Sequence, residues 1–581
     1  MAARRTLLIG LVILTIWLLS VYRGSVFVSR LTEQEDAAGC GTIRLAYLER
    51  RVRTLREEVD RLKNEQASCT PQRTPKLKPT STLSRKLEAN ENSDRRRDEA
   101  QDSVAKRDIP STTRLADAKS DISKKFDVIA LRHLETTVVN WWKTIQYETS
   151  QADEKTTKTK KFVDISADHL HHVLIDVARL RNASRLEQRK EVETATSAVQ
   201  ERFRLRQNPP SCGKDVKRLV CSVNKMCGFG CQVHHVAYCF LLAHGLGRVF
   251  VLASDMWSYN RGGRGWIDVF EPVSLSCEMK FADYRSLPAY NPKTYDPDAP
   301  VVRAHFIDNY VKNNPPYLPF VIPTDLANVV QHFHRIPGLW FLGQIVSYLL
   351  RLNGDMQKFI DDLKTSIGFK KPIVGVHVRR TDKLMVEAQR HSIEEYMRSV
   401  DDYYQVLETR PIAQKRVFVA TDDVRVIHET KGKYQDYALV FNEVAATKAR
   451  QQRYTLDSLK GIISDIILLS ETDYLVCTFS SQVCRLAYEL MQTKHVDASD
   501  RYHSLDDVYY FGGSRRRRWR AIYPHAPREG ATGELEIEVG DVLGVDAILG
   551  GYYVGKNEQT GKKGQFPVYK VEEIADVKDF F

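Results

Sequence analysis

The sequence predicts an α/β protein built on a Rossmann-type parallel sheet, with a helical stem before it and a small antiparallel β-barrel after it. Three observations lead there. Four short apolar runs with polar ends, RVFVLAS (248–254), KPIVGVHV (371–378), RVFVATDD (416–423) and DYLVCTF (473–479), are separated by helical patterns, which is how the doubly covered strands of a parallel sheet read. A long charged pattern of helical period fills 121–207. From about residue 514 the chain changes to period-two alternation with glycine turns, as in AIYPHAP, ELEIEVGDVLGV and KGQFPVYKVEE, the mark of a small barrel.

The elements divide 581 residues, more than one domain needs. Residues 1–5 read as a cytoplasmic tail and 6–22, TLLIGLVILTIWLLSVY, as a transmembrane signal anchor. A cleaved signal peptide is the competing reading; the absence of a small-x-small cleavage pattern favours the anchor. Residues 23–120 form a stem. It carries a short heptad seam, Leu45, Leu48, Val52, Leu55, Val59 and Leu62, suited to self-association. A polar linker that cannot bury a core follows. Residues 121–207 read as a helical pair, 208–513 as the catalytic unit and 514–581 as the barrel.

The formal charge is +12. A basic balance suits nucleic acid, a membrane surface or an anionic substrate, and no nucleic-acid-binding motif is present, so nucleic acid is not expected as a partner. Six of the ten cysteines fall between Cys212 and Cys277, and Cys477 and Cys484 form a further pair. No second Cys or His pair stands at zinc-finger spacing, so disulfides in an oxidising lumen fit better than a metal. Cys40 and Cys69 flank the heptad seam, where they either link two chains or stay free. The one Asn-x-Ser/Thr sequon, at Asn182, falls inside a helical pattern.

The chemistry concentrates at strand ends, where parallel sheets bind ligands. In GVHVRRTDKLMVE, Gly375 to Glu387, strand alternation puts His377 and Arg379 on one face and Arg380 on the other. Arg379 is then placed to fork onto a phosphate, and Arg380 to order the site against a carboxylate; a structural ion-pair cluster is the bland alternative. Ser480, Ser481 and Gln482 open a helix, as an anion site or as an ordinary cap. CGFGC, Cys227 to Cys231, offers Gly228 and Gly230 for close backbone approach, or is a bare turn. Glu387 sits on a loop above the strand ends with Asp382 and Lys383, ahead of a capping box at Ser392, where a general base can reach a hydroxyl. Asp422 and Asp423 are adjacent, so no Asp-x-Asp metal pair of the transferase type is present.

GVHVRRTDK, ATDD, LVCTFSSQVCRLAYE and HSLDDVYYFGG together resemble the eukaryotic alpha-1,6-fucosyltransferases, the family of N-glycan core fucosylation, over nearly the whole chain. The resemblance implies a single-pass type II Golgi membrane protein, a GT-B-like catalytic domain and a Src-homology-3-like barrel. It implies an inverting transfer of fucose from GDP-fucose to the 6-hydroxyl of the innermost GlcNAc, with no cofactor and no divalent metal. It makes the N-glycan acceptor and GDP-fucose the partners, and a homodimer through the helical stem. Carried over to matching positions, Glu387 is the catalytic base, Lys383 assists, and Arg379 binds the β-phosphate. His377 and Asp465 serve the guanine end and Tyr259 lies near the nucleotide. Gly228, Gly230 and Cys231 give backbone contacts, and Ser481 and Gln482 hold the diphosphate or fucose. Asp506 and Asp507 hold the glycan. It also implies the pairs Cys212–Cys277, Cys221–Cys239, Cys227–Cys231 and Cys477–Cys484. Two stretches depart from the family: AILGGYY, Ala547 to Tyr553, lacks the family's His-Trp pair, and RRRRW, from Arg515, replaces a neutral linker. A peptide-binding adaptor and a lectin without turnover are the alternatives; the first is disfavoured by the lack of a central tryptophan, the second by the intact Arg379, Lys383 and Glu387.

Overall fold

The structure is a computed structural model describing residues 122–151, 157–307, 317–380, 390–451, 454–511, 517–528 and 533–580. All lie within one compact unit, Val104–Phe581; a separate unit, Met1–Ser103, lies outside them. The anchor run, the heptad seam, Cys40, Cys69, the stem to residue 120, and Asp382, Lys383, Glu387, Arg515 and Arg516 are therefore outside the described residues. The expected Golgi membrane placement is corrected: among the described residues no helix is long and apolar enough to cross a membrane. The two longest helices, α1 (Ile122–Gln151) and α2 (Thr157–Gln207), carry charges along their length.

Helices α1 and α2 pack side by side through Val138, Trp142 and Ile145 against Ala167, Leu170 and Leu174. Asn182 lies within α2. Two parallel sheets follow. The first has the order β2-β1-β3, from β1 (Arg218–Ser222), β2 (Val249–Ala253) and β3 (Val301–Arg303). Helix α3 (Phe229–Gly245) connects β1 to β2 and is buried on nearly every side. A short strand, β4 (Val321–Pro323), leads into helices α4 (Thr324–Phe333), α5 (Pro337–Leu349) and α6 (Gly354–Ile367).

The second sheet has the order β7-β6-β5-β8-β9, all parallel, from β5 (Val374–Val378), β6 (Arg416–Thr421), β7 (Ala438–Phe441), β8 (Tyr474–Cys477) and β9 (Tyr502–Ser504). Helices α7 (Ile393–Asp402), α8 (Val424–Lys433), α9 (Glu443–Gln451), α10 (Leu456–Glu471) and α11 (Gln482–Met491) connect its strands. Alternate residues of one strand fall in different cores: Val417 and Val419 in one, Phe418 and Ala420 in the other. Both faces are covered, which is why these strands are apolar at consecutive positions.

Beyond residue 517 an antiparallel sheet of order β13-β12-β11-β10-β14 closes around Trp519, Leu543, Val545 and Phe566. Its strands are β10 (Arg518–Ala521), β11 (Val542–Leu549), β12 (Tyr552–Asn557), β13 (Lys563–Pro567) and β14 (Val571–Glu573). The chain then leaves this sheet, and β15 (Asp576–Lys578) pairs parallel to β4. Phe580 sets its ring beside Tyr317, Phe341 and His244. Arg517 joins the two parts: it forks onto Glu573 and donates to the Tyr509 carbonyl at 3.0 Å.

All four disulfides that the resemblance implies are formed. One of them, Cys221–Cys239, lies beside His235, the three side chains having their Sγ and ring nitrogen atoms within 4.8 Å of one another. Burial pushes the imidazole of His235 down to about 3, so it stays neutral there.

Candidate functional site

The two parallel sheets present the carboxyl ends of their strands to one cleft of about 410 Å³. From the first sheet come the β1–α3 turn, Cys227 to Cys231, and Tyr259 after β2; from the second come His377, Arg379, Thr421, Asp422, Asp465, Ser481 and Gln482. Strand parity on β5 explains the choice. Val374, Val376 and Val378 enter the core under α7, so His377 and Arg379 emerge on the opposite face, into the cleft.

Arg379 holds Asp422 through a charge contact, Nε to Oδ2 at 3.1 Å, rather than an aligned hydrogen bond. The other oxygen of Asp422 accepts from the Arg380 backbone N–H at 2.9 Å. The Arg380 side chain turns the other way and donates to Glu429 on α8 at 2.6 Å. Asp422 thus fixes both arginines at the strand end. Asp423, its neighbour, is used differently: it caps α8 by accepting from the Arg425 N–H at 3.0 Å.

Two helices start at the cleft. α3 begins after Gly228 and α11 after Ser481, and no side chain caps either one. First-turn amides and the positive helix ends suit an anion. The two starts are packed together: a Cβ on Gly230 would stand 2.8 Å from the Gln482 Cβ and 2.9 Å from its carbonyl carbon. Only glycine permits this approach. The Phe229 N–H donates to the Tyr259 hydroxyl at 2.9 Å, which fixes that ring against the turn. Tyr454 stacks edge-on to Tyr259 and lies under the Arg261 guanidinium.

At the far end, Asp465 on α10 is buried and accepts from Asn442 Nδ2 at 3.0 Å. Burial pushes its carboxyl up to about 8, which favours the protonated form in the empty cleft. Asp506 lies behind the Ser480 loop and not in the cleft lining: one carboxylate oxygen accepts from the Ser504 hydroxyl at 3.2 Å and from the Ser480 N–H at 3.3 Å. Asp507 accepts from the Val508 N–H at 2.9 Å.

The cleft thus collects His377, Arg379, Asp422, Asp465, Tyr259, Gly228, Gly230, Cys231, Ser481 and Gln482, and leaves Arg380, Asp423, Asp506 and Asp507 outside its lining. Sequence reading missed Thr421, Ala445, Ala449, Ser458 and Ile462, which also line it. It also missed Glu429 and Asn442, which hold Arg380 and Asp465. Small residues at every fourth position on α9, Ala445 and Ala449, were the available signal for a ligand-facing helix side.

Fold and cleft define a class: two parallel α/β sheets whose strand ends face one cleft, with two uncapped helix starts and, among the described residues, Arg379 in its lining. Residues 1–510 match the family described as alpha-(1,6)-fucosyltransferase N- and catalytic domains, and the chain belongs to that family. It is 43% identical over 415 residues to the alpha-(1,6)-fucosyltransferase of Drosophila melanogaster, covering 71% of this chain and 65% of that one. It is 40% identical over 372 residues to the alpha-(1,6)-fucosyltransferase of Caenorhabditis elegans, covering 63% of this chain and 65% of that one. The chain thus spans about 65% of the length of these relatives. The crystal structure of fucosyltransferase NodZ from Bradyrhizobium is similar at 14% identity and a TM-score of 0.31, over 47% of this chain and 92% of that one.

Proposed function

We propose that this chain is an inverting fucosyltransferase that moves fucose from GDP-fucose to the 6-hydroxyl of the innermost GlcNAc of N-glycans. The observation that carries the reading is Arg379, held by Asp422 at the end of β5, beside the uncapped starts of α3 and α11. A diphosphate fits between these positive groups. The guanine then reaches Asp465 and His377, with Tyr259 beside the nucleotide, all in the same cleft. In this reading 208–513 is a GT-B-like catalytic domain and 514–581 a Src-homology-3-like barrel.

The acceptor oxygen attacks the anomeric carbon as the bond to GDP breaks. Glu387 takes the hydroxyl proton, assisted by Lys383, while Asp506 and Asp507 hold the glycan. Negative charge grows on the leaving diphosphate, where Arg379 and the helix starts stabilise it without a divalent metal. Removing one such donor costs roughly 10²–10³ in rate. Helix α2 carries Phe162, Ile165, Val173 and Leu180 exposed along one side. A homodimer through the helical stem belongs to the same reading.

The test is incubation of the full chain with GDP-fucose, a chelator and a GlcNAc-terminated N-glycopeptide, read by mass spectrometry for one added deoxyhexose. Arg379→Ala should abolish transfer and weaken GDP binding; Glu387→Gln should abolish transfer and leave GDP binding near normal. No mass gain with the unaltered chain defeats the enzyme reading, and wild-type turnover by Glu387→Gln defeats the assignment of the base.

A further inference from the structure

Beneath the cleft runs a buried polar chain that no step above uses. Gln482, half-buried at the first turn of α11, points its side-chain oxygen at His234 on α3, with Oε1 2.7 Å from Nδ1. The other ring nitrogen of His234 lies 3.0 Å from Glu489 Oε1 and 3.2 Å from Oε2. Glu489 also accepts from the Tyr509 hydroxyl at 2.6 Å. His234 is 1% exposed and Glu489 0% exposed. Such a buried carboxylate needs donors around it.

In this arrangement the Gln482 oxygen, which can only accept, faces Nδ1, and Nε2 faces the Glu489 carboxylate. With its oxygen engaged by His234, Gln482 has its NH2 group left for the cleft, where a donor suits an anionic oxygen. The opposite amide orientation would put the Gln482 carbonyl at the cleft, where it would repel a phosphate.

We propose that His234 and Glu489 are positioning residues that fix the polarity of the Gln482 amide, so that Gln482 donates to the diphosphate or sugar of the bound nucleotide. Neither residue touches the ligand; both act through Gln482. This rests on the nucleotide reading of the cleft given above.

The experiment is a double-mutant cycle on the full chain with GDP as the probe, read by calorimetry. Hydrogen bonds to charged groups are worth about 1.5–3 kcal/mol, so Gln482→Ala should weaken GDP binding by about tenfold or more. His234→Ala should cost a similar factor in the native background and less than twofold in the Gln482→Ala background. Glu489→Gln keeps the shape, the Tyr509 contact and the fold while removing the charge. It should weaken GDP severalfold only when Gln482 is present, and so replaces His234→Ala if that variant does not fold. Equal losses from His234→Ala or Glu489→Gln in both backgrounds would mean a merely structural role and overturn the proposal. So would a Gln482→Ala variant that binds GDP normally. Failure of the unaltered chain to bind GDP would instead remove the nucleotide reading on which the proposal stands.

Discussion

Asp465→Asn is expected to make the ligand-free protein more stable and the nucleotide site worse. The carboxyl is buried and pushed up to about 8, with burial as the dominant cause. An unfolded aspartate titrates near 4. The folded state therefore favours the protonated form, so stability is lost as pH rises from about 4 to about 8. Within that window each pH unit costs up to about 1.4 kcal/mol. Between pH 5 and pH 7 the loss reaches about 3 kcal/mol at most. Asparagine is always neutral, keeps the shape and still accepts from Asn442 Nδ2, now 3.0 Å away. Its advantage over the native residue should therefore be small at pH 5 and grow towards pH 7. Denaturant unfolding of both forms, followed by tryptophan fluorescence at the two pH values, reads this directly. GDP affinity should move the other way and fall about tenfold or more, because a charged acceptor for base N–H groups is lost. Parallel pH dependence of stability in the two forms would refute the reasoning: Asp465 would then be ionised in the empty cleft.

Gly230→Ala should destabilise by about 1–3 kcal/mol and weaken GDP binding, since its Cβ meets Gln482 backbone rather than a flexible side chain; thermal unfolding and calorimetry check the two effects. Arg517→Ala leaves Glu573 buried without its fork and should cost about 3–5 kcal/mol. The double substitution Arg517→Met with Glu573→Leu should recover most of that loss in the same melt. Phe580→Ala removes a half-buried ring from Tyr317, Phe341 and His244 and should cost about 1–2 kcal/mol; limited proteolysis should then cut the chain near residue 575 sooner.

What could be read from the residues was what depends on short range. Runs such as RVFVA must be covered on both faces, and Val417 and Phe418 do enter opposite cores. Parity alone separates Arg379 from Arg380, and the two side chains leave β5 on opposite faces. What could not be read was pairing across the fold. Asp422 and Asp423 look interchangeable in sequence. One residue of displacement makes the first the partner of Arg379 and the second a helix cap. Glu429 reaches Arg380 only because α8 begins at Val424 and turns its second turn toward β5.

His234 and His235 carry this furthest. They are adjacent and identical in a largely apolar helix, and a lone sequence gives no reason to treat them differently. On α3 they point about 100° apart. His235 faces the Cys221–Cys239 disulfide and is held neutral by burial. His234 faces a carboxylate contributed 255 residues later and a cleft-lining amide 248 residues later. A buried histidine in an apolar helix is most often a satisfied core residue. What distinguishes His234 is that both its ring nitrogens meet acceptors, one of them leading to a ligand cleft. That is a property of two helices packed together, and it exists only because Gly230 lets α3 and α11 lie side by side.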